Sequence, residues 1–498
     1  MLTCICARAA AYAMRPTPAR GLHRRSDTYT ALPHEKTSAT NGRQRNRLAG
    51  PGDPTPALRI KEWHVSVETG GSSAAHEVIP PPLASAPAAA AGLPPEAGAP
   101  EELIQLLTPE GERVDHPDYP LDICARELQG LYRDLVLVRR MDTEAIALQR
   151  QGELGIWASL LGQEAAQIGS GRALGRHDMA FPTYREHGVA WCRGVDPVKL
   201  LELFRGVSHG GWDPAEHNFH LYTIVIGSQT LHATGYAMGV QRDGATGDGG
   251  EAVIAYFGDG ATSQGDVNEA FIWASVFNAP VVFFCQNNQW AISEPLERQS
   301  RIPLYQRARG FGFPGLRVDG NDVLACLAVT RAALRAAREG QGPTMIEAFT
   351  YRMGAHTTTD DPTRYRMAAD LEAWKLRDPV ERVKAYLVRS GAADASFFDE
   401  IDAEADRLGA WLREACRAMP DPAPLSAFEH IYAGPHPVLD AERDAYAAYL
   451  DSFDDAEHGG PGGPGGPPSP GGPPGEPSVP GAAQARGTGG FGRSGEVQ

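Results

Sequence analysis

The chain has 498 residues, 46 of them basic and 62 acidic, for a formal charge of −16 with its 15 histidines neutral. That balance excludes general nucleic-acid binding, which needs a basic face, and no apolar run reaches the ~18–20 residues of a membrane span. The seven cysteines (Cys4, Cys6, Cys124, Cys192, Cys285, Cys326 and Cys416) are odd in number and form no CxxC, which suits a reducing compartment without structural disulfides or zinc.

The first hundred residues are rich in Ala, Pro, Arg and Ser and show no sustained period; residues 80–100 read as a low-complexity linker. The arginines of this head (Arg8, Arg15, Arg20, Arg24, Arg25, Arg43, Arg45 and Arg47) face only Asp27 and Glu35, a bias that resembles an organellar transit peptide. A solvated basic tail, or a start codon placed too far upstream, are the alternatives. The end of the chain, from about Gly459, is a Gly/Pro tract that buries too little apolar surface to offset its ordering entropy. The expected organisation is a disordered head and linker over 1–100, one folded α/β body over 101–455, and a disordered tail over 456–498.

Within the body, Leu135–Leu154 is predicted to be an amphipathic core helix, with Arg139 and Arg140 on its solvated edge. Trp157, Trp191 and Trp212 are assigned to packing or a subunit contact. The histidines at 177, 187, 209, 217, 220 and 232 lack metal-ligand spacing. The Gly-rich run from Val225 to Gly239 reads equally as a subunit contact or a buried helix. Ala252–Ala255 is a short apolar strand, followed by Gly258-Asp259-Gly260. Val267, Ala270, Phe271, Ala274 and Phe277 then mark one face of a helix, with Ser263 and Asp266 as a capping box and Pro280 as its stop. A second buried strand, Val281–Cys285, runs into Gln286-Asn287-Asn288.

Strand, helix and strand in one sheet imply parallel pairing with a right-handed crossover. Asp259 and Asn288 then both lie at the carboxyl edge, where such sheets bind ligands. A turn feeding a helix N-terminus attracts phosphate, but an aspartate in that turn repels it unless a cation lies between. Two hard oxygen ligands suit Mg²⁺, which completes its octahedron with phosphate oxygens and water. A dinucleotide fold is excluded by the missing GxGxxG and by the lack of an acid about 20 residues on.

GDG, 26 intervening residues and NN resemble the thiamin-diphosphate motif. Over about residues 105–450 the chain resembles the alpha subunit of the decarboxylating component of 2-oxo acid dehydrogenase complexes, the family of pyruvate and branched-chain 2-oxo acid dehydrogenases. "GQEAAQIGSG" (Gly162–Gly171) resembles the early helix of that family. The resemblance implies a thiamin-diphosphate-binding α/β fold, mostly parallel sheet with helices on both faces. "FPTYREHG" implies that Tyr184 and Arg185 contact the diphosphate, and "YTIVIGSQ" that the backbone of Ile224 and Ile226 meets the aminopyrimidine. Asp259 and Asn288 match the magnesium ligands, Trp290 the residue whose main-chain carbonyl joins them, and Gly260 and Ala261 the diphosphate contacts. "YRMGAHTTTDDPTRYR" (Tyr351–Arg366) matches the active-site loop, with His356 on the active-site histidine and Arg352, Asp360 and Arg364 on loop-ordering positions. Thr357 stands where mammalian relatives carry a regulatory phosphoserine. Asp360-Asp361 ahead of Pro362 otherwise reads as a turn opener.

The resemblance further implies decarboxylation of a 2-oxo acid, with His356 stabilising charge or moving a proton as the acyl group passes to the lipoyl group of an acyltransferase component. Pyruvate is favoured as substrate, with 3-methyl-2-oxobutanoate and acetoin as alternatives. The second half of the cofactor site would come from a beta subunit in an α₂β₂ heterotetramer. The expected location is the cytoplasm, or the mitochondrial matrix if the head is a transit peptide. A thiamin-independent magnesium-phosphate enzyme, or a non-catalytic assembly subunit, would leave the Tyr184-Arg185 and Asn287-Asn288 matches, or the intact Asp259, Asn288 and His356, unexplained.

Overall fold

A computed structural model describes residues 103–458, apart from His209 and His430. The basic head, the linker and the Gly/Pro tract therefore lie outside the described residues. In chain order the elements are α1 (Ala125–Arg150), α2 (Glu164–Ala173), β1 (Met179–Phe181), α3 (His187–Cys192), α4 (Pro197–Arg205), α5 (Pro214–His217), α6 (Ser228–Arg242), β2 (Val253–Gly258) and α7 (Gly265–Phe277). There follow β3 (Val281–Asn287), a small hairpin of β4 (Trp290–Ala291) and β5 (Glu294–Pro295), α8 (Arg307–Gly310), β6 (Gly315–Asp319), α9 (Val323–Arg338), β7 (Thr344–Phe349), α10 (Ala368–Lys375), α11 (Pro379–Arg389) and α12 (Ala395–Ala418). Residues from Asp421 onward make a separate unit with α13 (Pro437–His458), in which Tyr446 packs on Phe428 at 6.0 Å.

Five strands form one parallel sheet in the order β1-β2-β3-β7-β6. The pleat sends alternate residues to two cores. Ile254 and Tyr256 of β2 join the core built with α1, α2 and α9, whereas Val253, Ala255 and Phe257 join the one built with α6 and α7. Burial on both faces explains why β2 and β3 read as unbroken apolar runs. Helix starts are marked by aspartates: Asp322 caps α9 by accepting from the N–H groups of Leu324 and Ala325, and Asp378 caps α11 in front of Pro379. Among the described residues no helix is long and apolar enough to cross a membrane, and Cys124, Cys192, Cys285, Cys326 and Cys416 are all free.

Three local expectations need correction. No capping box forms from Ser263 and Asp266: residues Asp259–Ser263 tighten into a 3₁₀ turn, and α7 starts at Gly265 behind an uncapped Gln264. Phe277 is not on the buried face; it stacks on Trp273 at 5.2 Å and is 46% exposed. Arg139 is not a solvated edge residue, because its guanidinium bonds Glu164 at 2.8 Å and Asp378 at 2.8–2.9 Å. Long-range acids from α2 and the α11 cap thus claim a side chain that local periodicity leaves facing water. Proline is also only part of the stop after α7: Asn278 closes that helix in the left-handed conformation, φ 53°.

Candidate active site

Four of the five strands deliver chemistry at their carboxyl ends. β1 leads to Tyr184 and Arg185, β2 to Asp259, β3 to Asn288 and Trp290, and β7 to Arg352 and His356. Gly258 pairs with Gln286, so the residues that follow on β2 and β3 leave the sheet side by side. Gln289 then takes a left-handed conformation, φ 70°, reversing the chain into the β4–β5 hairpin. That hairpin folds back over the turn at Asp259: a Cβ on Gly260 would lie 2.7 Å from the Cβ of Ala291, so only glycine fits there.

Asp259 is 1% exposed. Burial raises its carboxyl to about 6, against a smaller lowering from the hydrogen bond of Gln299. The Gln299 amide donates to Oδ2 at 3.0 Å, and the charge of Arg352 offsets only a small part of the burial of the carboxylate. Asn288 donates to the Oε1 of Gln163 at 3.1 Å and accepts from the Trp290 N–H at 3.2 Å. The Trp290 carbonyl accepts from Arg352 at 3.4 Å. Gln163 Nε2, Gln299 Oε1 and Arg352 Nε are buried without a partner. Buried polar groups are normally paired, so these orphans mark a place shaped for something else.

His356 sits half-buried between two guanidinium groups. Its Nδ1 lies 3.2 Å from Arg185 Nη2 and 3.3 Å from Arg352 Nη1, and its carbonyl accepts from Arg185 at 2.8 Å. Both neighbours are donors, so Nδ1 carries the lone pair and Nε2 the hydrogen. Burial, then the charges of Arg185 and Arg352, lower its pKa to about 3 against a smaller pull from Asp360, and the ring is neutral at pH 7. Asp360 accepts from the His356 N–H at 2.8 Å and from the Tyr365 hydroxyl at 2.5 Å. Arg352 reaches the Tyr365 hydroxyl at 2.7 Å and the Ile292 carbonyl at 2.6 Å. The Tyr184 ring meets His356 edge-on at 6.3 Å.

Tyr184, Arg185, Arg352 and His356 are thus brought together, as are Asp259, Asn288 and Trp290. Ile224 and Ile226 are exposed residues ahead of α6, at 66% and 41%. Arg364, expected to order the loop, is exposed and makes no side-chain bond; Arg366 holds the carbonyls of Arg352, Met353 and Gly354 at 2.6–3.0 Å instead. Asp361 caps the short turn at Pro362, as its sequence context suggests. Gln163 and Gln299 escaped the sequence reading. Neither carries a signal of its own, although Gln163 lies inside the quoted "GQEAAQIGSG" stretch.

A parallel α/β sheet with a carboxylate, an amide and paired arginines converging at its carboxyl edge defines the class of cofactor-binding α/β enzymes. Comparison with known proteins narrows it. The dehydrogenase E1 component family matches residues 132–416. The chain is 44% identical over 350 residues to the 3-methyl-2-oxobutanoate dehydrogenase subunit alpha of Mycobacterium tuberculosis, covering 70% of this chain and 94% of that one. It is 38% identical over 290 residues to the pyruvate dehydrogenase E1 component subunit alpha of Bacillus subtilis, covering 58% of this chain and 77% of that one. The corresponding Acholeplasma laidlawii subunit is 36% identical over 330 residues, 65% of this chain and 94% of that one. The chain belongs to the dehydrogenase E1 component family, as an alpha subunit of a thiamin-diphosphate-dependent 2-oxo acid dehydrogenase. Membership implies thiamin diphosphate as cofactor and a beta subunit as partner.

Whether the residues fit the cofactor is tested by the orphans. Gln163 Nε2 and Arg352 Nε are buried donors without an acceptor, and Asp259 is a buried carboxylate whose ionisation burial disfavours. Donors suit the diphosphate, and the carboxylate suits a metal beside it. Among the described residues no group of three or more His, Cys, Asp or Glu is placed to hold a metal ion. A donor set of one carboxylate, one amide and one carbonyl falls outside that description.

Proposed function

We propose that this subunit holds thiamin diphosphate through Mg²⁺ and acts in the oxidative decarboxylation of a branched-chain 2-oxo acid, with transfer of the acyl group to the lipoyl group of an acyltransferase component. The observation that carries the site reading is the buried Asp259, its carboxyl raised by burial, beside Asn288 and orphaned buried donors. The substrate moves from pyruvate to 3-methyl-2-oxobutanoate on the 44% identity to the Mycobacterium subunit over 94% of its length. Pyruvate is the second reading, supported by the Bacillus and Acholeplasma relatives.

In this reading Asp259, Asn288 and the Trp290 carbonyl hold Mg²⁺, with Gln299 fixing the Asp259 carboxylate. Gly260 and Ala261 offer backbone N–H groups, and Tyr184 and Arg185, joined by Gln163 and Arg352, side-chain donors, to the diphosphate. Ile224 and Ile226 present their backbone to the aminopyrimidine, and their exposed side chains lie where the beta subunit covers them in an α₂β₂ assembly. Thiamin diphosphate, when bound, would supply a nucleophilic carbon for the keto group and a thiazolium ring able to take up the electron pair released with CO₂. Burial, then the charges of Arg185 and Arg352, keep His356 neutral, and the two guanidinium groups at Nδ1 leave its Nε2–H facing away from them. His356 therefore acts as a hydrogen-bond donor to developing negative charge, not as an imidazolium acid. Residues 101–455 form the cofactor-binding body, and the bacterial relatives favour the cytoplasm.

The test is reconstitution with the beta subunit and lipoylated acyltransferase. We expect turnover only with both subunits, cofactor and Mg²⁺, and a higher kcat/KM for 3-methyl-2-oxobutanoate than for pyruvate. A preference for pyruvate would install the second reading. Decarboxylation by this chain alone would overturn the two-subunit one.

A further inference from the structure

One segment, Trp157–Leu160, touches both halves of the His356 environment. The Ser159 carbonyl accepts from Arg185 Nη1 at 2.5 Å. The Trp157 N–H donates to Thr358 Oγ1 at 3.0 Å, and the Trp157 carbonyl accepts from the Thr358 N–H at 2.9 Å. Thr358 lies two residues beyond His356 in the loop. The contact continues at Leu161, whose carbonyl accepts from the Met353 N–H at 3.0 Å. The segment is thus a rail along which the loop lies and on which Arg185 rests.

The rail is tied down from α1 by a single side chain. Asp142 Oδ1 accepts from the Trp157 indole N–H at 2.8 Å and from the Leu160 N–H at 3.0 Å; its Oδ2 accepts from the Ser159 hydroxyl at 2.6 Å. All three donors come from four consecutive residues. Asp142 is 2% exposed, and none of its bonds is to a cation. The nearest acid, Glu164, has its charge met by Arg139. A buried carboxylate without a counter-ion is costly, and a core needs no such group for packing. Its three acceptor bonds converge instead on a segment that bonds both Arg185 and the active-site loop.

We propose that Asp142 is a positioning residue for the reaction: it holds the Trp157–Leu160 rail, and through it both Arg185 and the loop bearing His356. The proposal rests on the reading of His356 and Arg185 as site residues, but the readout that decides it is loop exchange and not turnover.

The experiment is hydrogen exchange on the assembled holo complex, comparing wild type with Asp142→Ala and Asp142→Asn. Alanine leaves three donors without their acceptor. Asparagine keeps an acceptor for Trp157 and Leu160 and turns an N–H₂ toward Ser159, so it should be the milder change. We expect exchange over 355–360 to rise by at least about tenfold in Asp142→Ala, the equivalent of one lost buried hydrogen bond, and by less in Asp142→Asn. Exchange in β2 and β3 should stay as in wild type, and kcat should fall while thiamin-diphosphate affinity holds. Should the alanine variant fail to assemble, the asparagine variant decides alone. Unchanged loop exchange in an assembled variant would overturn the proposal. So would a rise shared equally by β2 and β3, which would make Asp142 a general stability residue. If the loop loosens as expected but His356→Ala turns over normally, the rail stands and the assignment of His356 fails.

Discussion

Asp259→Asn should move stability and cofactor binding in opposite directions. The carboxyl group is buried and its pKa is raised from 3.8 to about 6 by burial. A raised folded pKa contributes stability below the unfolded value of 3.8, and that contribution is lost as pH rises through about 6. At pH 7.5, without metal, the wild type therefore carries the full cost of an ionised buried carboxylate. The shift of roughly two units corresponds to about 3 kcal/mol. Asparagine is isosteric, keeps an acceptor for Gln299, and escapes that cost. The metal-free, cofactor-free complex should then unfold at a higher temperature in the variant than in wild type when both are measured at pH 7.5. Cofactor binding should move the other way: losing a charged ligand from a site that joins Mg²⁺ to a diphosphate should lower affinity on the order of a thousandfold. Differential scanning calorimetry and titration calorimetry on the same preparations measure the two effects. A variant that is less stable without ligand, or that binds thiamin diphosphate with Mg²⁺ as wild type does, would refute the reasoning.

His356→Ala should leave cofactor affinity largely intact and lower kcat by about 10²–10⁴-fold, checked by steady-state rates with the lipoylated partner. His187 is buried against Trp157, its Nε2 on the Ala158 carbonyl at 2.9 Å, and burial lowers its pKa from 6.5 to about 3. The unfolded chain takes up a proton below 6.5 that the folded chain refuses, so this histidine subtracts stability as pH falls from 6.5 toward 3, by up to about 1.4 kcal/mol per pH unit. His187→Gln should therefore lose less stability than wild type between pH 7.5 and 5, measured by denaturant unfolding at each pH. Gly162 has φ +93°, and a Cβ there would lie 2.3 Å from the Tyr351 carbonyl oxygen; Gly162→Ala should cost more than about 1 kcal/mol, read as a lowered unfolding midpoint.

Local chemistry was enough for the unit that carries the cofactor motif. The apolar run into Gly258-Asp259-Gly260, the helical spacing after it, the proline stop and the second apolar run ending at Asn288 each follow from a few neighbouring residues. Parallel pairing and the carboxyl-edge position of Asp259 and Asn288 followed from those pieces, because a strand-helix-strand crossover admits little else. The family resemblance added Tyr184, Arg185, Arg352 and His356. It did not give their bonds, nor Arg366, which holds the carbonyls of Arg352, Met353 and Gly354. What only the tertiary structure decided is how those groups act on one another. His356 meets Arg185 across 171 residues of chain, Gln299 meets Asp259 across 40, and Arg139 meets Asp378 across 239. No periodicity or cap spans such separations. The charge state of His356, the raised carboxyl of Asp259 and the hold of Asp142 on the loop arise when distant segments remove water from around them, and burial is a property of the folded chain alone.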